Sequence, residues 1–133
     1  VAELRTELKT VMETYCGVFR EKSVLGKGVA KVTELARRMD DVRLRDRSKK
    51  FNTARIEALE LDNLMDNALA TVCSALAREE SRGAHSRIDF PERDDIQWLK
   101  HSLYYKQDNR LEYKPVRTKP LTVDSFPPKP RIY

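Results

Sequence analysis

Ser81, His85 and Asp89 stand four residues apart and supply the three side-chain types of a hydrolytic triad. On one continuous helix they would share a face. Gly83 lies among them and reads as the end of a helix, so that face is interrupted. A triad also needs an oxyanion hole and a base oriented by a third group. Gly26-Lys27-Gly28 opens like a dinucleotide-binding fingerprint, but Lys31 holds the third glycine position and no strand precedes it. These glycines read as small residues inside a helix. His85, His101, Cys16 and Cys73 are the only soft metal ligands, and no C-x-x-C or H-x-x-x-H spacing joins them. Each histidine reads as a packing or interface residue.

Two charged stretches remain. Arg37 to Lys50 sets Arg37, Arg38, Arg43, Arg45, Arg47, Lys49 and Lys50 against Asp40, Asp41 and Asp46. A nucleic-acid surface would want a basic stripe with interleaved aromatics. The interspersed aspartates favour a solvated or domain-docking loop. Residues 80–100, ESRGAHSRIDFPERDDIQWLK, are denser still. Arg82, Arg87 and Arg93 can each hold a carboxylate in a two-pronged grip, with Glu80, Asp89, Asp94 and Asp95 as partners. This segment reads as a paired, rigid connector or as an interface.

Helices must carry these residues. Leu4, Leu8, Val11 and Tyr15 form one helical stripe, stopped by Gly17. Leu25, Val29, Val32, Ala36 and Met39 form a second, with Ser23 as its expected N-cap and Asp40-Asp41 at its end. The third and longest runs from Asn52 to Gly83 along Ala54, Ala58, Leu61, Met65, Ala68, Val72 and Ala75. Its expected N-cap is Asn52, with a hydrophobic staple between Phe51 and Ile56. Leu59, Leu69 and Leu76 lie off that stripe, which predicts a helix packed on two sides at the centre of a bundle. Leu99–Tyr105 and Arg110–Val116 flank turn residues 106–109 and predict a β-hairpin. The proline-rich end predicts an extended tail.

The expected fold is therefore mainly α: a three-helix bundle, spectrin-repeat-like, over 1–83, then connector, hairpin and tail over 84–133. The 133 residues suffice for one cored domain, and no apolar run approaches the roughly 18–20 residues of a membrane span. No secretory leader pattern opens the chain. Val1 stands where an initiator Met is missing, which reads as a fragment or a trimmed chain. Two separated cysteines suggest reduced thiols. A net charge of +5 allows anionic partners without choosing among them.

The run ARIEALELDNLMDNALATVCSALAREESRGAHSRIDFPERDDIQWLKHSLYY resembles the C-terminal domain of succinate dehydrogenase and fumarate reductase flavoproteins. VRLRDRSKKFNTARIEALEL, the GVFR after the first helix and the ending FPPKPRIY are similar to the same family, so the likeness covers nearly the whole chain. DFPERDD looks like the bacterial form, and YKPV with FPPKPRIY favours succinate dehydrogenase over fumarate reductase.

The resemblance implies an upstream FAD domain and a mobile capping domain of the same subunit. In the family these carry the flavin-attaching histidine and the substrate-binding and proton-delivering side chains. None maps onto this chain, so no catalytic, cofactor-binding or metal residue is expected here. The parent reaction implied is oxidation of succinate to fumarate, with hydride passing to FAD and electrons to an iron–sulfur subunit and quinone. The implied place is the cytoplasmic side of the bacterial inner membrane, held peripherally by the complex. Within this chain Arg82, Gly83, His85, Arg87, Asp89, Arg93 and Asp94 are the candidates for docking on the FAD domain. The helix expected to end near Gly83 would make Arg82, His85 and Arg87 project from one end of the bundle. Faces that the FAD domain would cover could pair two copies of the isolated chain. The competing reading is a free-standing basic helical module that binds protein or nucleic acid, in which case binding would be salt-sensitive.

Overall fold

The computed structural model describes residues 1–129. Three helices, α1 (Ala2–Tyr15), α2 (Lys22–Arg38) and α3 (Thr53–Ala77), hold most of the regular secondary structure among the described residues. Two short parallel strands, β1 (Phe19–Arg20) and β2 (Ser86–Arg87), tie the end of α1 to the connector. An antiparallel hairpin follows, β3 (Lys100–Tyr105) against β4 (Arg110–Pro115), with Tyr105 opposite Arg110 across a turn at 106–109. Asn109 takes a left-handed backbone there, φ 53°, as asparagine tolerates. Residues 116–129 carry no helix or strand, and Pro130–Tyr133, the end of the FPPKPRIY motif, lie outside the described residues.

The apolar stripes meet in one core. Leu4 and Leu8 of α1, Leu25, Val32 and Leu35 of α2, and Leu61, Met65, Ala68, Val72 and Ala75 of α3 are all buried. The helix at the centre is α2 rather than α3, because α2 packs against both neighbours while α1 and α3 touch each other sparingly. Gly28 is the reason. A Cβ added there would lie 2.9 Å from Tyr15 Cβ on one side and 3.2 Å from Val72 Cγ2 on the other.

Three expected helix signals resolve differently. Asn52 does cap α3, its Oδ1 accepting from the Arg55 amide at 2.8 Å. The staple does not form. Phe51 has φ 52° and is fully exposed, and Ile56 is 56% exposed. A left-handed residue before the cap turns its side chain away from the helix it would have stapled. At the start of α2 the N-cap is Glu21, not Ser23. At the far end α3 stops at Ala77, six residues before Gly83.

Candidate functional site

The C-terminal ends of α1 and α3 and the N-terminal end of α2 converge beside the connector. Each helix end leaves backbone groups without an intrahelical partner. Arg87 meets this need for α3. Its Nη1 donates to the carbonyls of Ala75, Leu76 and Arg78 at 3.1, 3.0 and 3.0 Å. Its Nε and Nη2 grip both oxygens of Asp89 at 2.7 Å each. The Arg87 side chain is fully buried. Asp89 then accepts from the Lys22 amide at 3.1 Å, so one ion pair joins the end of α3 to the start of α2. A carboxylate at a helix N-terminus and a cation at a C-terminus both suit the helix dipole.

Arg20 does the same for α1, donating to the carbonyls of Gly17 at 2.9 Å and Cys16 at 3.4 Å. Its Nη1 also donates to His85 Nδ1 at 2.9 Å. That bond makes Nδ1 an acceptor and leaves the ring proton on Nε2, which donates to the Arg78 carbonyl at 3.2 Å. His85 is thus a neutral bridge between the ends of α1 and α3. Its pKa is lowered by burial first, and then by the charges of Arg20, Arg87 and Arg78.

Glu80, fully buried, is a second hub. It accepts from Arg82 Nε at 2.9 Å and Nη2 at 3.0 Å, from the Asp94 amide at 3.0 Å, and from Arg78. Burial alone would push its carboxyl up, but these donors together hold it below the ordinary value. Arg82 reaches on to Asp95 at 2.7 Å, and Asp95 also pairs with Arg93 at 2.8 Å. Arg78 donates to the Trp98 carbonyl at 2.9 Å and lies over the Trp98 ring, which fastens the hairpin base to the same junction.

The sequence candidates therefore separate into inner and outer members. Arg87 points inward, contrary to the expected projection. The helix ends at Ala77, and the guanidinium folds back onto its last carbonyls. Gly83 sits at the tip of a tight turn at φ 58°, closed by mutual backbone bonds between Arg82 and His85 of 2.8 and 3.0 Å. Arg93 donates to the Lys129 carbonyl at 2.7 Å, and Asp94 Oδ1 accepts from the Ile96 and Gln97 amides. Ser81, Arg82, His85, Arg93, Asp95 and Lys129 border a groove of about 700 Å³ that opens to solvent.

No triad forms. Ser81 Oγ donates to the Phe90 carbonyl at 2.8 Å, His85 serves Arg20 and Arg78, and Asp89 serves Arg87 and Lys22. Gly26 and Gly28 lie within α2. Among the described residues no group of three His, Cys, Asp or Glu side chains is placed to hold a metal, and no helix is long and apolar enough to cross a membrane. Sequence reasoning passed over Arg78 entirely and gave Arg20 no role beyond its GVFR motif. An arginine just beyond the end of an apolar stripe is the signal that could have found both.

Acid should loosen this junction in two stages. A group whose pKa is lowered by folding contributes stability above its unfolded pKa and loses it as pH falls toward the folded one. His85 titrates first, below about 6.5. Asp89 follows at lower pH, because the Arg87 guanidinium holds its pKa at about 2. The melting temperature should therefore begin to fall between pH 7 and 5, and His85→Gln should flatten that first stage. A wild-type melting temperature that is level over the same interval would remove His85 from this role.

The family described as fumarate reductase flavoprotein C-term has a model that matches residues 5–133. A succinate dehydrogenase flavoprotein subunit of Coxiella burnetii is 50% identical over 130 residues, covering 98% of this chain and 22% of that protein. That of Rickettsia conorii is 44% identical over 138 residues, covering 100% of this chain and 23% of that protein. The chain thus spans less than a quarter of these relatives. A solved quinol fumarate reductase chain of E. coli superposes with a TM-score of 0.83 at 39% identity, over 94% of this chain and 22% of that one. An adenylylsulfate reductase of Archaeoglobus fulgidus, at 22% identity and a TM-score of 0.76, shares the fold.

Proposed function

We propose that this chain, which belongs to the family of fumarate reductase flavoprotein C-terminal domains, is the structural and docking domain of a succinate dehydrogenase flavoprotein subunit. The observation that carries the reading is the 50% identity to such a subunit over 98% of the chain. The whole subunit would use FAD to oxidise succinate to fumarate and hand electrons to an iron–sulfur subunit and quinone. It would lie peripherally at the cytoplasmic face of the inner membrane, and the chain's own share would be mechanical. The three helices would form a spectrin-like bundle with the tail laid along a neighbouring surface. Exposed apolar side chains such as Phe19 and Ile88 could pair two copies when the rest of the subunit is absent.

FAD does not fit the residues described. A dinucleotide phosphate needs a glycine-rich turn between a strand and a helix N-terminus. The one helix that follows a strand here is α2, and its first amide is already bonded to Asp89. This supports placing the flavin in another part of the subunit.

Docking on the FAD domain is assigned to the outer members of the connector, Arg82, Gly83, His85, Arg93 and Asp94, with Arg87 and Asp89 holding them from within. Arginine suits that edge because its planar fork can hold a carboxylate across an interface. In the full-length subunit Arg93→Glu should lower covalent flavin incorporation, read by in-gel fluorescence, while the melting temperature of this chain stays within a few degrees. Normal flavinylation would remove the connector from docking. The purified chain should show no flavin absorbance band and no dye reduction with succinate. Either signal would overturn the mechanical role. Nanomolar affinity for one nucleic-acid sequence at physiological salt would instead favour the free-standing basic module.

A further inference from the structure

The loop between α2 and α3 lies at the opposite end of α3 from the junction. Twenty-five helical residues separate the two ends, about 37 Å at 1.5 Å per residue. Asn52, only 6% exposed, pins this loop. Its Nδ2 donates to the carbonyls of Asp46 and Ser48 at 3.1 and 3.0 Å, while its Oδ1 caps α3. The pinned backbone forces Phe51 to φ 52°, a conformation rare for a bulky residue and held only where the surroundings over-determine it. The result is an aromatic ring held fully in solvent. Ile56 and Leu59, spaced to share a helix face, form a separate exposed apolar patch on the first two turns of α3, at 56% and 57% exposure.

Charge fills the loop before Phe51. Arg45, Arg47, Lys49 and Lys50 are exposed, and among the described residues none belongs to an ion pair. Asp46, the acid among them, accepts from the Ser48 amide at 2.8 Å. A solvated loop needs neither a buried clamp nor a left-handed phenylalanine. An interface uses both, because a pre-set anchor loses little freedom when it binds.

We propose that Phe51, with Ile56 and Leu59 on the first turns of α3 as a second apolar contact, is an anchor that enters an apolar pocket rimmed by carboxylates on the remainder of the flavoprotein subunit. This rests on the flavoprotein reading above. It adds a second point of attachment, far from the connector. The rest of the subunit is chosen as occupant because the relatives carry this domain joined to more than three quarters of further chain. Acidic residues around the pocket would answer the four unpaired cations.

Hydrogen exchange tests this in two preparations, the chain alone and the full-length flavoprotein subunit that contains it. The amides of 42–51 should exchange about tenfold or more slowly in the full-length subunit. Phe51→Gly should leave the melting temperature of the chain alone unchanged or raised, since glycine accepts a positive φ. In the full-length subunit the same change should abolish the added protection and speed release of the domain under limited proteolysis. Equal exchange of 42–51 in both preparations, in a subunit that holds flavin and oxidises succinate, overturns the anchor and leaves the flavoprotein reading intact. A full-length subunit without flavin or succinate oxidation overturns both. Protection of 42–51 by an added oligonucleotide, and not by the rest of the subunit, assigns the loop to nucleic acid and overturns the anchor.

Discussion

Replacing Arg87 by alanine should lower the stability of the chain by about 3–5 kcal/mol, the range for removing one partner of a buried ion pair. For a chain of this length that is a fall of about 10 °C or more in melting temperature. Two losses combine. The carbonyls of Ala75, Leu76 and Arg78 are left without their shared donor. Asp89 loses the guanidinium that holds its pKa at about 2 and keeps only the Lys22 amide among its stronger ties. Arg87→Lys should recover little, since an ammonium is a point charge and cannot face a carboxylate and a helix end at once. Differential scanning calorimetry decides the matter. A variant melting within a few degrees of wild type would mean that Arg87 acts on something outside this chain.

Leu61→Asp should be comparably damaging for a different reason. Leu61, on the stripe of α3, is fully buried in the core that the three helices share. An aspartate there has no described cation within the core to pair with, so it must either bury an unpaired carboxylate or draw water inward. The expected cost is about 3 kcal/mol or more. Chemical denaturation of the variant, with an unchanged slope and a lowered midpoint, is the expected signature. A midpoint near that of wild type would place Leu61 outside the core.

The core was legible because it depends on spacing alone. Leu4, Leu25, Val32, Leu61, Met65 and Val72 fall on stripes of helical period, and each is buried. The cap at Asn52 and the hairpin strands were legible too, since both rest on local chemistry. What escaped depends on residues distant in the chain. Arg78, Glu79 and Glu80 are good helix formers, and nothing near them says that α3 ends at Ala77. The reason is Arg87, ten residues on. Ser23 looked like a cap for α2, but Asp89 supplies a carboxylate to that end from 67 residues away. A dense mixture of charges announces that pairing occurs without saying which arginine turns inward.

The staple at Phe51 failed on a different kind of information. Apolar residues at N′ and N4 satisfy the pattern, but the backbone at N′ decides where the first one points. Asn52 set that backbone by bonding backward to Asp46 and Ser48 as well as forward to Arg55. An asparagine with four hydrogen-bonding positions can serve the loop and the helix together.

The wiring of the junction also fixes an order of events during synthesis on the ribosome. α1 and α2 are complete by Arg38, and α3 by Ala77. The residues that tie their ends together, His85, Arg87 and Asp89, are made only afterwards. Since chains grow from the N-terminus at about 5–20 residues per second, the nascent helices spend a short interval with stripes paired and ends unfastened. During that interval the last turn of α3 is free to run on toward Gly83, as its local sequence prefers. The arrival of Arg87 would then unwind those residues and convert them into the connector. Fastening this end of the bundle would then be a local melting of helix rather than a growth of it, with the hairpin base, joined through Arg78 and Trp98, still to follow.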